Sequence, residues 1–184
     1  MCLKISNVKL SVKIAELSLS DVENICKTKN LDFKRYNNFI VLRLKGITYI
    51  IFKARLLKNS DKSDTRNQHV NITVSDLAKI DESIQKLMVI LEQNADLIVS
   101  KKIDNITASG YLGKSIDIQK FLSIAEDISK NVSYNPERFP SLFISHGRCK
   151  ILLFKNGKLV ILASRSIKEA EEAFLWISSR CAFI

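Results

Sequence analysis

Residues 134–165 read YNPERFPSLFISHGRCKILLFKNGKLVILASR. Three strand-like runs, LFIS, KILLF and KLVILA, stand between turn residues. The Asn156-Gly157 pair inside KNGK is a strong tight-hairpin signal. Pro136 and Pro140 are the only prolines in the chain, and they bracket Phe139. Proline fixes its own φ and cannot donate to a sheet ladder. Pro136 therefore suits the turn before the first run, and Pro140 the first residues of the strand. Together they stiffen the approach to Phe139. The runs that follow do not alternate cleanly between apolar and polar. One parity goes under a core, and the other leaves Leu152, Phe154, Val160 and Leu162 available to something outside.

The same pattern occurs earlier in the chain. FIVLRLKGITYIIFK aligns with LFISHGRCKILLFK so that Arg43 falls on Ser145 and Phe52 on Phe154 without a gap. A third strand follows in each half, HVNITVS at 69–75 and KLVILAS at 158–164. Upstream, SNVKLSVKI carries Asn7 and DNITASGYLG carries Asn105, each leading into a helical pattern. In the first half, Val22, Ile25 and Cys26 share a face, with Ser20 as the expected N-cap; in the second, Ile118, Phe121, Leu122, Ala125 and Ile128 recur at helical spacing. A second helix closes each half, with apolar faces Ile80, Ile84, Leu87, Met88, Leu91 and Ile167, Ala170, Phe174, Ile177, Cys181. Each half thus reads strand, helix, three strands, helix. The spacing predicts two repeats, 1–95 and 96–184, joined near Gln93 to Ser100 and packed as one rigid body. Where the second half has KNGK, the first has the polar stretch 54–68, expected as an extended hairpin tip.

Composition sets the outer bounds. A chain of 184 residues with 46% hydrophobic residues carries enough apolar material for a packed core. No window resembles a membrane span and the N-terminus lacks a signal-peptide pattern, so the expectation is an intracellular protein without a membrane partner. Four scattered cysteines, Cys2, Cys26, Cys149 and Cys181, and two histidines show no metal-ligand spacing. They read as buried reduced thiols, and no cofactor is expected. There is no Ser/His/Asp grouping, no phosphate-binding Gly-rich loop and no shared carboxylate pair, so no enzyme is expected. The net charge of +10 raises the odds of an anionic partner such as DNA, RNA or an acidic membrane surface.

The duplicated pattern resembles the TATA-box-binding protein family. YNPERFP, ILLFKNGKLVILASRS and a helix with EAEEAF follow in that family's order in the second half. The first half keeps the Asn-led strand and the hairpin but little else by identity. The resemblance implies an α+β saddle: a curved antiparallel sheet of about ten strands, four helices on its convex face, and a concave face that sits on the minor groove. The roughly 80° DNA kink belongs to this family and is carried over from it.

Residue by residue, the resemblance implies that each repeat wedges two phenylalanines into a base step. Phe139 and Phe154 match both positions of the second repeat, and Phe52 one position of the first. The remaining position falls on Asn37, with Phe39 two residues later and of the right strand parity. Asn7 and Asn105 match the central asparagines, whose amides reach the acceptors of A·T pairs. Val70, Ile72, Val160 and Leu162 are expected on the groove-facing third strands. Lys9 and Thr107 stand where the family has a small apolar residue, which leaves a strict TATA-like preference open. Lys158 and Arg165 match phosphate-holding positions, with Arg43 and Lys53 as further candidates. The turn at Asn135, Glu137 and Arg138 stands at the docking site for an initiation factor IIB-like protein; Glu137 matches an acidic contact residue, while Asn135 and Arg138 stand where the family often has Glu and Leu, which implies an altered partner. RNA polymerase subunits are further expected partners.

The leading reading is a divergent TATA-binding-protein-like initiation factor that binds and bends double-stranded DNA. Its divergence points to a large DNA virus or a fast-evolving lineage, and hence to the nucleus or a cytoplasmic viral factory. The alternatives are a protein-interaction module of the same fold that has lost DNA binding, and an accessory domain of a nucleic-acid enzyme.

Overall fold

The computed structural model describes residues 3–15, 17–54, 67–93, 98–124 and 132–181. The first half runs β1 (Leu3–Ala15), α1 (Leu19–Thr28), β2 (Phe33–Arg35), β3 (Phe39–Leu44), β4 (Ile47–Phe52), β5 (Asn67–Val74), a 3₁₀ turn (Leu77–Lys79) and α2 (Ile80–Ile90). The second runs β6 (Ile98–Tyr111), α3 (Ile118–Ile124), β7 (Val132–Tyr134), β8 (Ser141–His146), β9 (Cys149–Phe154), β10 (Lys158–Ser164) and α4 (Ile167–Cys181). The strands form one ten-stranded sheet in the order β2-β3-β4-β5-β1-β6-β10-β9-β8-β7. This is an α+β fold. Both halves hold one strand more than the apolar runs predict. The additions are β2 (FKR) and β7 (VSY), three residues each, too short to show a period.

The chain divides into two compact units, Val8–Asp104 and Asn105–Ile184 with Met1–Asn7. In the unit 8–104, alternation sets the faces. Val8, Leu10, Val12 and Ile14 of β1 are buried, as are Ile40 and Leu42 of β3 and Tyr49 and Ile51 of β4. They meet Val22 and Cys26 of α1 and Ile84, Leu87 and Met88 of α2, whose periodic faces supply the other side of the core. Helix α1 begins two residues earlier than Ser20 implies. Ser18 is the N-cap and accepts from the Asp21 amide at 3.0 Å. Tyr49 is fully buried, and its hydroxyl donates to the Ser83 carbonyl at 2.9 Å. Burial, with a smaller contribution from Glu82, pushes this phenol up to about 12.

In the other unit, Leu142, Ile144, Ile151, Leu153, Leu159 and Ile161 pack against Phe121 of α3 and Ala170, Phe174 and Ile177 of α4. Gly110 of β6 lets the Phe174 ring lie on the strand; a Cβ there would stand 2.7 Å from the ring. The KNG turn is a three-residue connection rather than the two-residue one Asn-Gly suggests. Leu153 pairs with Leu159, and Gly157 takes a φ of 77°. A Cβ on Gly157 would lie 1.8 Å from the Lys114 carbonyl oxygen, because residues 112–116 cross the turn and bond to it through Leu112 and Ile116 amides. Strand β10 bulges between Ile161 and Ser164, with Ala163 at φ 65°.

Cys26, Cys149 and Cys181 are free and buried. Burial raises all three thiols, Cys181 to about 11, so none has thiolate character at neutral pH. Among the described residues no cluster could hold a metal ion, and no helix is long and apolar enough to cross a membrane. Ala125, Ile128, residues 55–66 of the expected hairpin tip and residues 94–97 of the expected linker lie outside the described residues. Strand β6 already runs at Ile98, inside that linker.

Candidate nucleic-acid interface

Helices cover one face of each unit's strands, and the alternate residues make an uncovered face. In the unit with the C-terminal half, that face carries Asn105, Thr107, Ser109 and Tyr111 of β6. Beside them stand Lys158, Val160 and Leu162 of β10, then Lys150, Leu152 and Phe154 of β9, then Phe143 of β8. Leu152, Phe154, Val160 and Leu162 therefore share the face expected of them. They are partly exposed while Leu153, Leu159 and Ile161 are buried.

Phe139 reaches the end of this face from a built turn. Pro136 occupies the second position of a turn opened by Asn135, the place its fixed φ favours. The Asn135 carbonyl accepts from the Arg138 and Phe139 amides at 3.1 and 3.0 Å, and its side chain accepts from the Arg138 amide at 3.3 Å. Phe139, 40% exposed, lies with its ring centroid 5.6 Å from Phe143 and 5.9 Å from Phe154. Phe143 is itself 45% exposed. Beneath them Ser141, which pairs with Phe154, is fully buried with an unpartnered hydroxyl. Glu137, Asn135 and Arg138 are all exposed on the turn.

The unit 8–104 builds a like cluster from different positions. Phe39 pairs directly with Phe52 in the β3–β4 ladder, as Ser141 pairs with Phe154, so the gap-free alignment holds and needs no shift. Even so, the Phe39 ring stands 5.9 Å from Phe52, the same spacing as Phe139 to Phe154. Tyr36, 46% exposed, stacks on Phe39 at 4.5 Å and completes a three-ring group. Tyr36 and Phe143 were missed in the sequence. The signal was present: each lies three or four residues from a predicted wedge, in a segment of predicted strand or turn.

Two expected groove residues are on the wrong face. Val70 and Ile72 are fully buried under the helices, with Tyr49 opposite Ile72 and Ile51 opposite Val70. The uncovered residues of β5 are His69, Asn71 and Thr73. The two third strands match with Val160 on Asn71 and Leu162 on Thr73. A register one residue out exchanges the faces of the whole strand. Gln68, next to this strand's outer positions, is buried; it accepts from the Leu17 amide and donates to the Phe52 carbonyl.

Asn7 is exposed on the uncovered parity of β1. Asn105 is partly exposed, and its buried amide oxygen has no partner. Arg43, Lys53, Lys158 and Arg165 are exposed. Arg43 stands opposite Thr48 on the uncovered face, and the Lys53 amide donates to Asn38 beside the aromatic group. The Arg165 amide donates to Glu169 at 2.7 Å, which fixes the start of α4 next to it.

These features define an α+β protein of two like units, each offering an uncovered sheet face that ends in three grouped aromatic rings. Residues 100–179 match the family model described as Transcription factor TFIID (or TATA-binding protein, TBP). The TATA-box-binding protein of Methanothermobacter thermautotrophicus is 42% identical over 77 residues, 41% of this chain and 40% of that protein. TATA-box-binding protein E of Halobacterium salinarum is 27% identical over 134 residues, 71% of this chain and 66% of its own. A solved structure, Methanococcus jannaschii TBP, superposes with a TM-score of 0.74 at 23% identity, covering 99% of both chains. The C-terminal half resembles the TATA-binding protein family in sequence, and the whole chain shares the fold of the solved archaeal protein. The most similar stretch spans about two fifths of the length of the curated relatives it matches.

Proposed function

We propose that this protein is a transcription initiation factor that binds the minor groove of A·T-rich DNA and bends it. Each unit lays its uncovered face along the groove. The apolar face of Leu152, Val160 and Leu162 meets deoxyribose edges, and Phe139 and Phe154 enter a base step and unstack it. Phe39 and Phe52, backed by Tyr36, do the same for the unit 8–104. Asn7 and Asn105 reach the groove floor, where A·T pairs offer only acceptors and the guanine amino group obstructs. Lys158, Arg165, Arg43 and Lys53 hold phosphates, consistent with a net charge of +10.

The observation that carries this reading is the exposed ring group Phe139–Phe143–Phe154 at the end of an apolar, uncovered sheet face. Exposed aromatics at 40 and 45% on a charged protein call for a partner that buries them. The turn at Asn135, Glu137 and Arg138 faces solvent and is the surface for a IIB-like factor, with polymerase subunits following in the assembly.

A mobility-shift titration on A·T-rich and G·C-rich duplexes tests the reading. Tight binding to the first, weakening steeply with salt, is expected. Failure to bind either duplex at low salt contradicts it and leaves the alternative, a protein-interaction module of this fold. Glu137→Arg is expected to abolish capture of a IIB-like factor on the DNA complex without changing DNA affinity.

A further inference from the structure

The two uncovered faces differ in chemistry at their centres. On the unit 8–104, strand β1 presents Lys9, Ser11 and Lys13, and β5 presents Thr73, Asn71 and His69 directly opposite them. The equivalent places in the other unit hold Thr107, Ser109 and Tyr111, with Leu162, Val160 and Lys158 on the third strand. The third strand supplies two aliphatic residues in one unit and none in the other, and only the unit 8–104 carries lysines at these places of its first strand.

The two lysines are not surface decoration at a strand end. They sit on the strand carrying Asn7, on the same parity, and are half-buried. Neither side chain makes an ion pair or hydrogen bond with any described residue. Ser11 between them is engaged: it is hydrogen-bonded to Asp104 and lies 3.2 Å from the Asn71 side-chain oxygen. The polar centre of this face is thus bonded through Ser11 to Asp104 and Asn71, while the two flanking ammonium groups hold no side-chain partner among the described residues. An ammonium carries donors only. The floor of an A·T minor groove carries acceptors only, and a G·C pair interposes a donor.

We infer that Lys9 and Lys13 read base identity under this unit, donating to the acceptors on the minor-groove floor and rejecting guanine. This rests on the DNA-binding reading above and extends it. Both units wedge; beside the wedges, one unit adds an apolar third strand and the unit 8–104 adds a pair of cationic donors.

The test uses the full chain and A·T-rich duplexes in which base pairs are replaced one at a time by I·C or by G·C. Inosine·cytosine keeps the acceptors of A·T in the minor groove and lacks the guanine amino group. Lys9→Met and Lys13→Met, singly and together, keep the apolar stem of each side chain on the face. Circular dichroism and the thermal midpoint check that the variants fold as the parent does. The wild type is expected to accept I·C and to bind about tenfold less well to G·C at positions under this unit. The double variant is expected to lose that discrimination there and keep it at positions under the other unit. A double variant with the parent's G·C-to-I·C ratio overturns the inference. So does a uniform loss across all duplexes with a lower salt slope, which would make the lysines phosphate contacts. A wild type that binds no duplex at low salt overturns the DNA-binding reading as well, so the two failures are distinct.

Discussion

Phe139 shows how much one side chain depends on its mount. It is 40% exposed, yet its amide and that of Arg138 both donate to the Asn135 carbonyl, and a proline stands on either side. A wedge held in place before binding loses less to ordering when it binds. Phe139→Ala should lower stability by only about 1 kcal/mol, the scale of one aromatic contact, while it removes the kink at that end of the site. Gly157 is the opposite case. It has no side chain to offer, but its left-handed φ of 77° and the Lys114 carbonyl beside it leave no room for a Cβ. Gly157→Ala should cost about 1–3 kcal/mol in urea unfolding. An unchanged midpoint would contradict the packing of residues 112–116 on that turn.

At the scale of elements, helices and central strands were legible because burial imposes a period on the sequence. The faces of α2 and α4 appear in Ile84, Leu87, Met88 and in Ala170, Phe174, Ile177 as read. Strands of three residues carry no period, so β2 and β7 were invisible. The register of β5 was misread for a different reason. In HVNITVS the apolar residues alternate with polar ones, which by itself puts Val70 and Ile72 under the helices. Matching them to Val160 and Leu162 was one residue out, since Asn71 and Thr73 hold those places. Asn37 holds no ring, but Phe39 with Tyr36 stacked on it lies beside Phe52, and contacts of this kind are made in space rather than along the chain. Tyr49 gives a pH test of the covered face. Its folded pKa, about 12, lies above the unfolded value near 10, so its contribution is complete below pH 10 and is lost as pH rises toward 12. Tyr49→Phe should flatten the alkaline limb of the stability curve; a limb of the same slope would show that Tyr49 does not control it. The buried thiols should react with a disulfide reagent at pH 8 only on the unfolding timescale.

The molecule as a whole joins a surplus of positive charge to two uncovered sheet faces of unlike character. The charge was plain in the composition and the duplication in the alignment of Phe52 with Phe154. The difference between the faces was not, because it depends on parity in β1 and β5. Binding should weaken with salt by a log–log slope of about 0.9 for each phosphate neutralised. Replacing Lys158 or Arg165 by Ala should lower that slope by about one such step.

The central claim is that grouped phenylalanines on an uncovered face bend DNA. End-to-end energy transfer across a labelled A·T-rich duplex measures this directly, with the wild type compared with Phe139→Ala/Phe154→Ala at saturating protein. The account predicts a large shortening of the end-to-end distance with the wild type, and a marked loss of it in the double variant at retained, weaker binding. Saturated binding with the free-DNA distance, or bending that survives the loss of both rings, would contradict it.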